Sequence, residues 1–140
     1  MEPLVDRISD YLVQMDIDPE PTEEGIFLVR YGSAVVMIST FTHEGQDYVR
    51  LAAVLLLGFR PKLELLTRLL RLNSHVLMGS FQLFEDETLC FTHTLVAKGL
   101  DLATFRHALL YVGRVADDHD EALQALGGGE RMEEILDAPT

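Results

Sequence analysis

"YVRLAAVLLLGF", residues 48–59, decides the fold, because from Leu51 to Phe59 it carries neither a charge nor a side-chain amide. A strand points alternate side chains to opposite faces, so a strand covered on one side only shows a polar residue at every second place. This stretch does not alternate. It predicts a strand whose two faces both want apolar cover, with Val49, Leu51, Ala53, Leu55 and Leu57 on one and Tyr48, Arg50, Ala52, Val54 and Leu56 on the other. Leaving Val54 and Leu56 in water forgoes on the order of 1.5 to 3 kcal/mol each. Two arrangements meet the need: helices of the same chain on both faces, or a second molecule on one of them. We expect the second.

Working outward, "AVVMISTF" (34–41) behaves similarly, with Ala34, Val36 and Ile38 opposing Val35 and Met37, and "IFLVR" (26–30) precedes it. The short connections "YGS" and "THEG" make these runs and 46–57 an antiparallel meander. Leu4, Ile8, Tyr11, Leu12 and Met15 recur at helical spacing behind Pro3, predicting an amphipathic helix over 3–15. After Gly58, Pro61 starts a second helix, "PKLELLTRLLRLN" (61–73). Two strands, "VLMGSFQLF" (76–84) and "ETLCFTHTLVA" (87–97), flank an acidic turn. A long helix, 100–126, then places Leu102, Phe105, Leu109, Val112, Val115, His119 and Leu123 along one stripe. "GGG" (127–129) stops it. The expectation is an α+β fold forming one domain over 1–126, followed over 127–140 by a glycine-rich flexible hinge and a short amphipathic tail with Met132, Ile135 and Leu136 on one side.

The second helix repeats the surplus seen in the strand. Leu63, Leu65, Leu66, Leu69, Leu70 and Leu72 span about 180° of its circumference, wider than the roughly 100° of a one-sided helix. One edge of that arc can pack on the sheet while the other meets a second molecule, a symmetric dimer being the commonest solution. Burial between the sheet and the terminal helix would use the same leucines. Arg68 and Arg71 on the narrow polar arc, with Arg60 and Lys62 before it, form the only basic cluster. It suits a dimer seam or an acidic client segment, or it is a wet helix face.

The chain has 140 residues, is 48% hydrophobic and carries a formal net charge of -12. Residues 1–24 hold eight acids and one base, residues 115–140 likewise, and the middle holds seven acids against nine bases. Phosphate backbones repel such ends, which argues against direct binding of DNA or RNA. A basic protein partner suits them, as does a plain role in solubility. No run reaches the roughly 18 to 20 apolar residues of a membrane span, and "MEPLVDRISD" lacks the basic start and apolar core of a signal peptide, so the expected location is cytoplasmic.

Chemistry finds little purchase. Cys90 is the sole cysteine, and its spacing of three from His93 puts the two on opposite faces of a strand, out of reach for a thiolate and its base. His43, His75, His93, His107 and His119 are scattered, none paired at ligand spacing. In "DDHDE" (117–121), Asp117 and Glu121 share a helix face while His119 falls near the apolar stripe, so no single-segment metal cage forms. "GGG" lacks the preceding strand and the lysine of a phosphate loop. Carboxylate pairs such as Asp16 and Asp18 sit in a proline-rich connection with nothing to desolvate them. No catalytic, metal or cofactor-binding residue is therefore assigned.

"LLRLNSHVLMGSFQLFEDETLCFTHTL" (69–95), a helix ending in Leu-Asn, a strand with Gly before Ser-Phe, an acidic turn and a second strand, together with "RVADDHDEAL" (114–123), resembles the YbjN family of bacterial proteins. The likeness runs from about Leu4 to Leu126. It implies a fold like that of type III secretion chaperones, a homodimer and the binding of client proteins without chemistry; family members are described as regulators of sensory transduction. The function expected is accordingly a non-enzymatic protein-binding module, chaperone-like or regulatory. Its contact residues would be Tyr48, Arg50, Ala52, Val54 and Leu56 on the sheet, and Leu63, Leu66, Leu70, Arg68 and Arg71 on the second helix. The rival is a sensor of a small apolar ligand held between sheet and helices.

Overall fold

The apolar run of residues 48–59 becomes the third strand of a five-stranded antiparallel sheet in a computed structural model that describes residues 3–136. The chain order is α1 (Leu4–Gln14), β1 (Phe27–Tyr31), β2 (Ala34–His43), β3 (Gln46–Leu57), α2 (Leu63–Asn73), β4 (Ser80–Leu83), β5 (Thr88–Val96), α3 (Leu102–Gly127) and α4 (Met132–Leu136). In space the strands run β1-β2-β3-β5-β4. The meander supplies the first three, and the α2 excursion lets β5 return beside β3 with β4 outside it. β3 is thereby central, which is why it has no polar edge.

One core joins the sheet's inner face to three helices. Val29, Val36, Ile38, Leu51, Ala53 and Phe91 of the sheet pack in a single cluster with Ile8 and Leu12 of α1, Leu65 and Leu69 of α2, and Phe105, Leu109, Val112 and Val115 of α3. The stripe expected on the long helix is buried as its spacing requires, except that Leu102 and His119 are half-buried at its edge. Asp101 caps this helix, its carboxylate accepting from the Thr104 N–H at 2.8 Å. That bond holds the Asp101 carboxyl below the usual carboxylate range.

Two expectations need correction. First, alternation along β3 does not persist to its end. Ala53 pairs with Phe91 and Val54 with Cys90, but the next pair is Leu56 with Leu89, so Leu55 is the extra residue of a β-bulge. Beyond the bulge the faces exchange, and Leu56, expected on the outer face, is fully buried in the core. Second, β4 begins at Ser80 rather than at Val76. Gly79 adopts a φ of 77°, and a Cβ there would lie 2.7 Å from the Thr92 carbonyl oxygen, so the chain turns into the sheet only at this residue. The Asn73 side chain ties the end of α2 to the new strand, accepting from the Phe81 N–H at 2.7 Å and donating to the Phe81 carbonyl at 3.2 Å.

The segment after α3 folds back. Glu130 exchanges both backbone hydrogen bonds with Leu57, at 2.9 and 2.8 Å, and the Arg60 N–H donates to the Gly127 carbonyl at 3.0 Å. Met132 is half-buried, and Ile135 and Leu136 are exposed. Asp137 and Ala138, at the end of the expected amphipathic tail, lie outside the described residues. Among the described residues, no helix is long and apolar enough to cross a membrane.

Candidate functional site

All three long helices bury their apolar faces in the inner core, which leaves the outer face of the sheet as its own surface. Strand register assembles it row by row. Leu28, Met37, Ala52, Thr92 and Ser80 cross the sheet in one row; Ser39, Arg50 and Thr94 form a second, and Phe41, Tyr48 and Val96 a third. Leu28 is 55% exposed and Val96 52%, while Met37, Phe41, Tyr48, Ala52 and Val54 are half-buried. The Phe41 and Tyr48 rings stack at 5.2 Å, and the Arg50 guanidinium lies 4.5 Å from the Phe41 ring centre, so this end of the face is aromatic with a cationic lid.

Of the sheet residues expected from sequence, Tyr48, Arg50, Ala52 and Val54 lie together on this face. Leu56 does not, because the bulge turns it inward. Met37 lies there too, on the face opposite Val36 and Ile38 where its spacing put it, whereas Leu28, Phe41 and Val96 were not singled out. Phe27, Leu28 and Val29 are three consecutive apolar residues, and since a strand must send the middle one to the opposite face, that run could have found Leu28.

The α2 residues form a separate surface. Leu65 and Leu69 point into the core, whereas Leu63 is 80% exposed and Leu70 75%, with Leu66 half-buried between the two conditions. Leu77, just beyond the helix, is 81% exposed and is held by its N–H donating to the Tyr111 hydroxyl at 2.8 Å. Arg68 and Arg71 are exposed along the flank of the helix, where they line a hollow together with Leu63. The expected contact residues thus divide between two faces of the molecule.

The ionisable groups that looked chemical have structural surroundings. Cys90 is buried, and burial, with the negative charge of Asp86 adding to it, pushes its thiol up to about 11. His93 lies on the inner face opposite Leu51, away from Cys90, and desolvation lowers its pKa. Asp117 accepts from both the N–H and the hydroxyl of Ser33, each at 2.8 Å, and these bonds hold its carboxyl below the usual range. Asp120, which sequence reasoning did not single out, is 3% exposed, with the Ser33 hydroxyl at 2.6 Å and Arg131 at 3.7 Å. Among the described residues, no group of three or more His, Cys, Asp or Glu side chains is placed to hold a metal ion.

No curated protein sequence matches the chain. Two solved structures share its fold. A chain of the ExsC–ExsE complex is 15% identical, covering 86% of this chain and 92% of its own, with a TM-score of 0.64. A chain of the Yersinia pestis type III secretion chaperone SycH in complex with a stable fragment of YscM2 is 13% identical, covering 86% and 99%, with a TM-score of 0.60. Residues 2–135 match a family model, and the chain belongs to the family described as T3SS (YopN, CesT) and YbjN peptide-binding chaperone 1.

Proposed function

We propose that the chain is a non-enzymatic, cytoplasmic module that binds a peptide segment of a client protein and works as a homodimer. The observation that carries this reading is the pair of apolar surfaces left over once the core is complete: the outer sheet face around Ala52 and Val54, and the leucine edge of α2 at Leu63, Leu66 and Leu70. Contiguous exposed apolar area of this kind marks an interaction surface. Family membership supports a peptide as the ligand class. Both structural relatives were crystallised with a protein partner, which supports a protein as its source. The sheet face receives the client and shields its apolar side chains; the α2 edge meets a second copy.

Bulky buried side chains, among them Phe27, Phe59, Phe91 and Phe105, occupy the space between sheet and helices that a small-ligand sensor would need for its pocket. The protein reading therefore stands ahead of that rival.

Light scattering tests the dimer. The wild type should run at twice the 15.7 kDa chain mass, and Leu70→Asp, which puts a charge on the leucine edge, should shift it toward monomer with unchanged circular dichroism. An unshifted mass in that variant removes α2 from the seam. For the client face, Val54→Asp should weaken capture of an amphipathic probe peptide by about tenfold or more, since a buried unpaired charge is costly to an interface. Undiminished capture sinks the assignment of the sheet.

A further inference from the structure

A groove runs between α2 and the C-terminal half of α3, away from the sheet face and bordering the leucine edge of α2, with which it shares Leu63. It consists of two adjoining hollows of about 600 and 250 Å³ that share Arg68 and Leu126. Its walls are apolar at Leu63, Leu72, Ala122 and Leu126, and its rim carries the two cations of Arg68 and Arg71 against the one carboxylate of Glu64. On the α2 wheel Leu70 lies about 160° from Arg68 and faces away from the groove, so of the leucine edge it is Leu63 that the groove shares.

Three features argue that the groove is preformed and charge-selective. Its α3 wall is anchored: the Gly127 carbonyl accepts from the Arg60 N–H at 3.0 Å, and a Cβ on Gly127 would lie 2.7 Å from Leu65 Cδ2, so the two helices meet at van der Waals contact there. Neither guanidinium has a hydrogen-bond or ion-pair partner among the described residues, although Glu64 stands one turn from Arg68 and a chain of net charge -12 offers many. Arg60 and Lys62 extend the same cluster, so four of the chain's eleven bases fall within residues 60–71. In a protein so acidic elsewhere, this is where an anionic ligand meets least repulsion.

We infer that the α2–α3 groove is a second docking site, and that its occupant is an acidic amphipathic segment of the client, with apolar side chains on Leu72, Ala122 and Leu126 and carboxylates on Arg68 and Arg71. The inference rests on the peptide-binding reading and adds a partner chemistry to it: the acidic termini favour basic sequence, whereas this groove selects the opposite charge. Guanidinium forks suit carboxylates, and flanking charge sets the orientation in which the segment lies.

Three labelled probe peptides with one apolar pattern and flanking Glu, Gln or Lys test this by fluorescence anisotropy on the full chain. The Glu peptide should bind tightest and the Lys peptide weakest, about tenfold apart at low salt, with the gap closing as salt is raised. Arg68→Glu with Arg71→Glu, both exposed and harmless to the fold, should reverse the order. An order that starts with Lys, or survives the double variant, overturns the groove. Equal binding of all three that is abolished by Val54→Asp overturns the groove and leaves the peptide-binding reading standing; no binding of any peptide overturns both.

Discussion

Ser33 sits in the β1–β2 turn and bonds carboxylates 84 and 87 residues away in the chain. Its N–H and hydroxyl serve Asp117, and the hydroxyl also meets the buried Asp120, whose remaining neighbour is Arg131. Ser33→Ala should therefore lower stability by about 1 to 3 kcal/mol, the range for stranding a buried polar group. Urea unfolding measures it, and a loss below a few tenths would show that water replaces the hydroxyl. None of this was legible in sequence, where "DDHDE" showed only that Asp117 and Glu121 share a helix face and that His119 falls near the apolar stripe. Helical spacing places residues on a face but does not say which distant turn comes to lie against it.

At the scale of elements, α2 and β3 each carry more apolar surface than one contact covers, and they resolve it differently. α2 splits its leucine arc: Leu65 is fully buried, while Leu70 stays 75% exposed. Leu65→Ala should cost about 2 to 5 kcal/mol, as for a buried leucine that leaves a cavity. Leu70→Ala, measured at a dilution where the chain is monomeric, should stay within about 0.5 kcal/mol of wild type. Comparable losses in both would mean that α2 packs on two sides within one chain. β3 resolves its surplus with a bulge, which turns Leu56 inward and leaves Val54 on the outer face. The width of the leucine arc was readable from a 100° rotation per residue. The bulge was not, because a run of leucines and valines carries no polar marker to reveal where alternation slips by one residue.

For the whole molecule, charge and burial together set the response to pH. His93 is held below its ordinary pKa by desolvation, so its contribution is whole above about 6.5, the unfolded value, and is lost as pH falls below it toward the folded value. Asp117 is held low by the Ser33 bonds, so its contribution is present above the ordinary carboxylate pKa of 3.8 and is lost as pH falls toward its own lower value. Both act in one direction, and acidification should lower the urea midpoint. His93→Gln should flatten the upper part of that profile and Asp117→Asn the lower. A midpoint that rises on acidification would show that relief of the -12 net charge outweighs both groups. Sequence alone determined the element order, the antiparallel meander, the core stripe of α3 and the excess of apolar side chains in β3 and α2, because each is a periodicity carried by neighbours along the chain. Only the tertiary structure decided which side chains share a surface. It separated the sheet face from the α2 edge, withdrew Leu56, drew Ser33 to Asp120 and opened a groove lined with arginine, because register, bulges and helix contacts join residues that the chain itself holds far apart.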